Sequence, residues 1–457
     1  MSFEQLGPTF VKLGQLLAAR PDLIPLQWSE EFRKLHDQVA PVDFKEIEVV
    51  IKNHFGAELR EVFQSFDEKP LAAASIAQVH HAQLKDGRKV VVKVQRPGVE
   101  KVIEEDLQIL EQMAEFMEKH IPESRKFNPT GIIKEFGNSL ELETNFVVEA
   151  NNMRRFQHNF EGDTSIKIPE VYHEYTGRRV LVMEALEGIP LTQKRALEQE
   201  GIDRGEILRR GLRAYLKMVY RDGFFHGDLH AGNIMIMPDS RLGLVDFGVV
   251  GRVSRRTQAA IANMFLALAD EDFDRMSYIY VDLAPFTEQV DLDAFARDVR
   301  NLLAPYLGLT MKDVNVGRLL MQSTAIASQH GLVLPSELVM FFKSIVAIEG
   351  MGHLVSRDFD FLTESLAFAK EQVQAGPDAK QLLYDASFFA RDFQSLLQSA
   401  PRQIKFALRR LNDPGFALKV KSTESEALRR TVEKGFSQLF WALIIAALLL
   451  GIILKYH

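Results

Sequence analysis

Apolar and polar positions change period several times along the chain, and each change marks an element. Leu13, Leu16 and Leu17 recur at helical spacing until Pro21 and Pro25 break the run, and Ile47 to Phe63 forms a second amphipathic stretch, so residues 1–69 read as helical. Beyond Pro70 the period shortens to two. Gln78–Leu84 and Lys89–Gln95 flank Lys85-Asp86-Gly87-Arg88, an Asp-Gly turn between β-branched runs, which predicts a β-hairpin. Helical pattern returns over Val99–Lys119 and Ile132–Phe156, and a strand follows at Arg179–Met183. Glu187-Gly188-Ile189-Pro190 then breaks the pattern. The rest reads as mostly helical, interrupted by two short apolar runs, Ile234–Met237 and Leu242–Val245. A small mixed lobe joined to a larger helical one by a single strand and hinge places a cleft at the joint.

The C-terminal end has a different character. Leu439 to Leu454 is sixteen residues without a charge, extended to nineteen from Phe436, which spans about 24–28 Å as a helix. Trp441 and Tyr456 sit near its ends, where interfacial aromatics belong. The preceding segment, residues 402–434, holds nine basic residues and four acidic ones, an excess that suits anionic headgroups and a cytoplasmic position. A single-pass C-terminal anchor carrying a globular body on the cytoplasmic face is therefore expected. Met1 to Arg20 lacks the basic-then-apolar order of a secretory signal.

Composition narrows the chemistry. The 457 residues carry a net charge of −7, which supplies no electrostatic reason for nucleic-acid binding. No cysteine is present, so disulfides, zinc–thiolate sites and cysteine nucleophiles are excluded. A metal would be held by oxygen or imidazole, and magnesium suits such donors.

The strongest constellation is His226-Gly227-Asp228-Leu229-His230-Ala231-Gly232-Asn233, followed thirteen residues on by Asp246-Phe247-Gly248. Phosphoryl transfer asks for strict placement of oxygen ligands around magnesium and the nucleophile. Asp228 would orient or deprotonate an acceptor or a water, Asn233 would reach the metal, and Asp246 would bridge magnesium to the phosphates of ATP. Upstream, Lys93 ends Val90-Val91-Val92-Lys93 on the second hairpin strand, where kinase-like folds place the lysine that holds the α- and β-phosphates. Glu143 and Glu149 are both candidates for its carboxylate partner. Where a protein kinase has a glycine-rich turn, this chain has Ala72-Ala73-Ala74-Ser75, and no Ala-Pro-Glu follows Asp246-Phe247-Gly248, so a platform for a peptide substrate is not evident. Glu184 and Leu186, just after the strand, would lend backbone groups to adenine by position. His80, His81 and the methionines 218, 235 and 237 read as structural, and His226 as a brace for the loop.

With Lys12-Leu13-Gly14-Gln15, the alanine-rich loop Ala72–Ser75 running into Ile76-Ala77-Gln78-Val79-His80, and the elements above, the chain resembles the UbiB/AarF family of atypical kinase-like proteins over nearly its whole length. The family's Glu-x-Asp reads Glu143-Thr144-Asn145 here, with a neutral amide replacing one carboxylate. The resemblance implies an α+β, protein-kinase-like two-lobed fold whose N-terminal helices cover the cleft, Lys12 meeting Glu143 and Glu149 pairing with Lys93. It divides the chain into an N-terminal extension (1–69), an N-lobe (70–186), a helical C-lobe (187–400), a basic juxtamembrane segment (401–435) and a transmembrane helix (436–455). It also implies Mg-ATP binding and support of ubiquinone or related isoprenoid lipid metabolism at the inner membrane, with membrane lipids, quinone intermediates and quinone-biosynthesis enzymes as partners. A cleft filled by Lys12 and its helix leaves room for water or a small or lipidic acceptor. The expected activity is therefore an ATPase, with a small-molecule kinase or a nucleotide-binding scaffold as the alternatives.

Overall fold

Alternation in the lysine strand decides which way the N-lobe faces. Val90, Val92 and Val94 are wholly buried on one side, against Ile47 and Ile51, while Val91 and Lys93 face the other. Each such valine or isoleucine contributes about 1.5–3 kcal/mol by leaving water, so a slip of one residue would be strongly disfavoured. The structure, a computed structural model, describes residues 2–18, 24, 26–32, 35, 39–198, 202–284, 290–306, 315–356 and 359–374. The expected basic segment 401–435 and apolar span 436–455 lie outside the described residues.

Helices α1 (Ser2–Leu6), α2 (Pro8–Ala18), α3 (Leu26–Phe32), α4 (Phe44–Phe55) and α5 (Leu59–Val62) open the chain. The amphipathic pattern predicts helix through Phe63, but α4 stops at Gly56, which caps it at φ 66°. The chain then turns into β1 (Phe63–Phe66). β2 (Ala72–Ala73), β3 (Ala77–Leu84) and β4 (Lys89–Gln95) follow, the last two forming the expected hairpin. Next come α6 (Val99–His120), α7 (Pro129–Thr144) and α8 (Phe146–Asn159). The pattern from Ile132 to Phe156 is thus two helices rather than one. Asn145 leaves the helical conformation, and its side chain accepts from the Val147 N–H as the N-cap of α8.

β5 (Ile166–Lys167), β6 (Val180–Glu184) and β7 (Ile189–Pro190) lead to α9 (Arg204–Lys217), which ends in a π-turn at Met218–Asp222. Four short strands carry the loops of the cleft: β8 (Phe224–His226), β9 (Ile234–Ile236), β10 (Leu242–Leu244) and β11 (Val250–Arg252). Helices α10 (Arg255–Ala269), α11 (Phe273–Leu283), α12 (Leu292–Leu303), α13 (Val316–Gln329), α14 (Ser336–Val355) and α15 (Phe361–Gln374) complete the described chain.

The N-lobe sheet is antiparallel in the order β1-β3-β4-β6, with β2 added to β3. A second sheet, β5-β10-β9-β7, and the pair β8–β11 frame the loops after His226 and Leu244. α8 packs Phe146, Ala150, Met153 and Phe156 into the large core shared with α9 to α14, and a separate apolar cluster joins α2, α6 and α7. Among the described residues only α14 is long and apolar enough to cross a membrane. Most of it is buried within the protein, as a core helix requires.

Candidate active site

Lys93 stands on β4 between Val79 of β3 and Leu181 of β6, on the face that looks toward α8. Its Nζ donates to both carboxylate oxygens of Glu149, at 3.0 and 2.9 Å, and lies 3.6 Å from Asp246 Oδ1. Of the two candidate partners, Glu149 is therefore the one that holds Lys93. Burial opposes the lysine's charge, yet Asp246 and then Glu149 outweigh it and hold the ammonium above its ordinary value. Lys93 in turn holds the Asp246 carboxyl well below the usual range. Burial pushes the Glu149 carboxyl up, and the contact with Lys93 works against it.

α8 is fastened to the Asp-Phe-Gly segment by two further bonds. The Phe247 N–H donates to Glu149 Oε1 at 3.3 Å, and Asn152 Nδ2 donates to the Phe247 carbonyl at 3.0 Å. The Phe247 ring is wholly buried against Phe156 and His226. Asp246 itself adopts a left-handed backbone, φ 64°, with its Oδ1 accepting from the Gly248 N–H. That turn aims a half-exposed carboxylate at the space beside Lys93.

The loop after β8 is organised by its own backbone. Buried His226 accepts from the Asp228 N–H at Nδ1, and burial lowers its pKa, so it braces the loop as a neutral ring. His230 Nδ1 accepts from the Gly232 N–H, and Asn233 Nδ2 donates to the Asp228 carbonyl at 3.1 Å. Asp228 Oδ1 receives Lys343 Nζ at 2.9 Å. Burial would raise this carboxyl, but Lys343 outweighs it and keeps it below the ordinary aspartate value.

From the N-terminal extension, Lys12 on α2 forms an ion pair with Glu143 at the end of α7. Lys12 also helps keep Asp246 ionised and Glu143 helps keep Lys93 charged, so this pair belongs to the same electrostatic cluster. The alanine-rich loop is a tight turn: Ala72 and Ala73 pair with Val79 and Gln78, the Ala74 N–H reaches the Ala77 carbonyl, and Ser75 is buried. Arg96 Nε ties the turn down through the Ala74 carbonyl at 2.8 Å.

Glu184 does not join the cluster. Its carboxylate binds Lys167 at 2.7 Å and the Glu170 N–H at 3.0 Å, and its own N–H is taken by the Glu170 carbonyl. Leu186 lies against Gly243 of β10. His80 is a wholly buried core residue whose Nδ1 meets the Asp67 carbonyl, with its pKa lowered by burial. Lys343 and Asn152 are absent from the sequence expectations. The one available signal was a lysine inside the apolar run Val339–Ile348.

Among the described residues no three His, Asp or Glu side chains converge as a metal cluster. Asp246 carries a half-exposed carboxylate, and the Val245 N–H beside it donates to the Asn233 carbonyl at 3.0 Å; oxygen donors of this kind would leave a magnesium ion's other positions to phosphate and water. The ABC1 atypical kinase-like domain matches residues 34–280, and the UbiB helical domain matches residues 299–360. The chain belongs to the UbiB family of ABC1-type atypical kinase-like proteins. It is 32% identical to the probable protein kinase UbiB of Marinobacter nauticus over 81% of this chain and 69% of that one. With the Aeromonas salmonicida UbiB it shares 33% identity over 83% and 71%. An uncharacterised Synechocystis protein is 32% identical over 97% of this chain and 78% of its own length. A solved structure of Rv3197 from Mycobacterium tuberculosis, in complex with erythromycin, is similar at TM-score 0.50 and 25% identity, covering 75% of this chain and 90% of that one. As a UbiB-family protein, the chain places the helical domain's α13 and α14 beside the kinase-like domain, with α14 reaching its loop through Lys343.

Proposed function

We propose that this UbiB-family protein binds Mg-ATP and turns it over as an atypical kinase-like ATPase, supporting ubiquinone or related isoprenoid lipid biosynthesis at the cytoplasmic face of a membrane. The observation that carries the reading is Lys93 shared between Glu149 and Asp246, because this arrangement presents one cation for phosphates and leaves one carboxylate over for a metal. Lys93 would hold the α- and β-phosphates while Glu149 keeps it aimed. Asn233 and Asp246 would hold magnesium, which neutralises phosphate charge when bound. Asp228 would take a proton from water or from a small acceptor.

The pairing of Lys12 with Glu143 favours a small or lipidic acceptor, since a polypeptide would have to displace α2. A second reading, a kinase for a small molecule, draws on the erythromycin complex of the Mycobacterium tuberculosis relative. The membrane location draws on the apolar and basic C-terminal sequence together with the family.

The test is ATP hydrolysis by the purified full-length protein with and without magnesium, with and without anionic-lipid vesicles, beside Asp246→Asn. Magnesium-dependent turnover that rises with vesicles and disappears in the variant is expected. ATP binding with no turnover under any condition would overturn the reading in favour of a scaffold. Phosphate transfer to an added small molecule would replace the ATPase with the kinase.

A further inference from the structure

Lys343 belongs to none of the sequence motifs, yet it reaches Asp228 from α14. α14 carries the sequence Ser336 to Val355, in which Lys343 stands between wholly buried neighbours. Phe341, Phe342 and Ile345 are each at most 1% exposed, which fixes the helix's rotation and leaves Lys343 on the side facing the cleft. One turn earlier, Met340 packs against the catalytic loop so closely that a Cβ at Gly227 would collide with its sulfur. Met340 and Lys343 are three apart and therefore share a helix face. The contact at Gly227 and the bond at Asp228 are thus two separate observations that α14 forms the floor of this loop.

Its position is held from behind as well. Glu349, two turns further along α14, is buried and accepts the N–H groups of Val316 and Gly317 at 2.9 and 2.8 Å, locking α14 to the start of α13. A lysine in the middle of a packed helix delivers its charge to a fixed place, which a lysine on a mobile loop does not.

We propose that Lys343 is a catalytic cation supplied to the kinase-like domain by the helical domain, pairing with Asp228 before turnover and sharing its ammonium between Asp228 and the γ-phosphoryl oxygens during transfer. The inference rests on the ATPase reading and deepens it. An ammonium has three N–H donors, and Asp228 Oδ1 engages one at 2.9 Å. In hydrolysis, a water oxygen bonds to the γ-phosphorus as the bond from that phosphorus to the β,γ-bridging oxygen breaks. The bonding electrons leave with ADP, one water proton passes to Asp228 and then to solvent, and inorganic phosphate is released. Charge on the transferring oxygens is stabilised by fixed donors, and loss of one such donor costs about 100-fold or more in turnover.

The deciding experiment measures kcat, KM for ATP, and nucleotide affinity by fluorescence for full-length wild type, Lys343→Met, Lys343→Ala and Lys343→Arg. Expected are a kcat lowered about 100-fold in the Met and Ala variants, a KM and nucleotide affinity within a few-fold of wild type, and partial recovery in Lys343→Arg. Added ethylammonium should restore part of the activity of Lys343→Ala and none of that of Asp228→Asn. Wild-type turnover with unchanged kcat in Lys343→Met would overturn the inference and leave the ATPase reading standing. A wild type without turnover would overturn both. Should the Met variant unfold, activity of Lys343→Arg decides: retained turnover supports the cation, and a folded, inactive Arg variant that no amine rescues refutes it.

Discussion

Replacing Glu149 with glutamine tests whether Lys93 is shared between two carboxylates. Its Nζ lies 2.9 and 3.0 Å from the Glu149 oxygens but 3.6 Å from Asp246. Removing one member of a buried pair ordinarily costs about 3–5 kcal/mol, because the survivor is left without a partner. Here Lys93 retains Asp246. The remaining loss is a charged hydrogen bond made neutral, plus a donor facing a donor, or about 1–3 kcal/mol of stability. The freed lysine then closes on Asp246. Shortening that contact to about 2.8 Å at an effective dielectric of about 20 strengthens it by about 1.3 kcal/mol, close to tenfold in an equilibrium constant. Since magnesium would need the same carboxylate, its midpoint for activating ATP turnover should rise about tenfold in Glu149→Gln. A magnesium titration at saturating ATP, with thermal unfolding in parallel, measures both numbers. An unchanged magnesium midpoint, or a stability loss at the full 3–5 kcal/mol, would refute the shared-lysine argument.

Substitutions at two further positions address the scaffold. Burial pushes Glu349 up to about 7 from an ordinary 4.5, so between those values the folded state holds the proton more tightly than the unfolded chain. Stability from this group is therefore lost as pH rises through about 7, by about 3 kcal/mol in all. The melting temperature of Glu349→Gln minus that of wild type should accordingly increase between pH 5 and pH 8, and a flat difference would contradict it. Asn145→Ala should cost about 1 kcal/mol in urea unfolding through loss of the α8 cap, whereas Asn145→Asp should match wild type or exceed it by a few tenths through the helix dipole.

Legibility in the sequence followed the range of the interaction. The β3–β4 hairpin is visible because strand alternation and the Asp86-Gly87 turn are local signals, and Lys93 inherits its place from that strand. Asp228, Asn233 and Asp246 are visible because the loop that carries them is short and chemically specific. β1 is hidden because four residues, Phe63 to Phe66, are too few to show a period of two against the helix before them. The break at Asn145 is hidden because the apolar positions of α7 and α8 keep helical spacing across it, and capping is a property of one side chain. The ion pair of Glu184 with Lys167 is hidden because the two are neighbours only in space. Lys343 lies 115 residues from Asp228, and in a linear reading its apolar surroundings describe a core helix and nothing more.

Among the described residues, three lysines reach this cleft from three parts of the chain: Lys12 from α2, Lys93 from β4 and Lys343 from α14. Each is matched by a carboxylate on a different element, Glu143, Glu149 and Asp228, and Asp246 is the fourth carboxylate beside them. Three ammonium groups facing four carboxylates leave the cleft without net positive charge. Polyphosphate would not be drawn into such a site by electrostatics alone, because every cation is already engaged. Asp246 would hold the divalent cation, whose charge would reverse that balance and leave Lys93 to the phosphates. Nucleotide and magnesium binding are therefore expected to be strongly coupled, each tightening the other by the same factor. The same geometry makes the N-terminal extension and the helical domain parts of the site, since withdrawing either one strands a carboxylate that its lysine now neutralises.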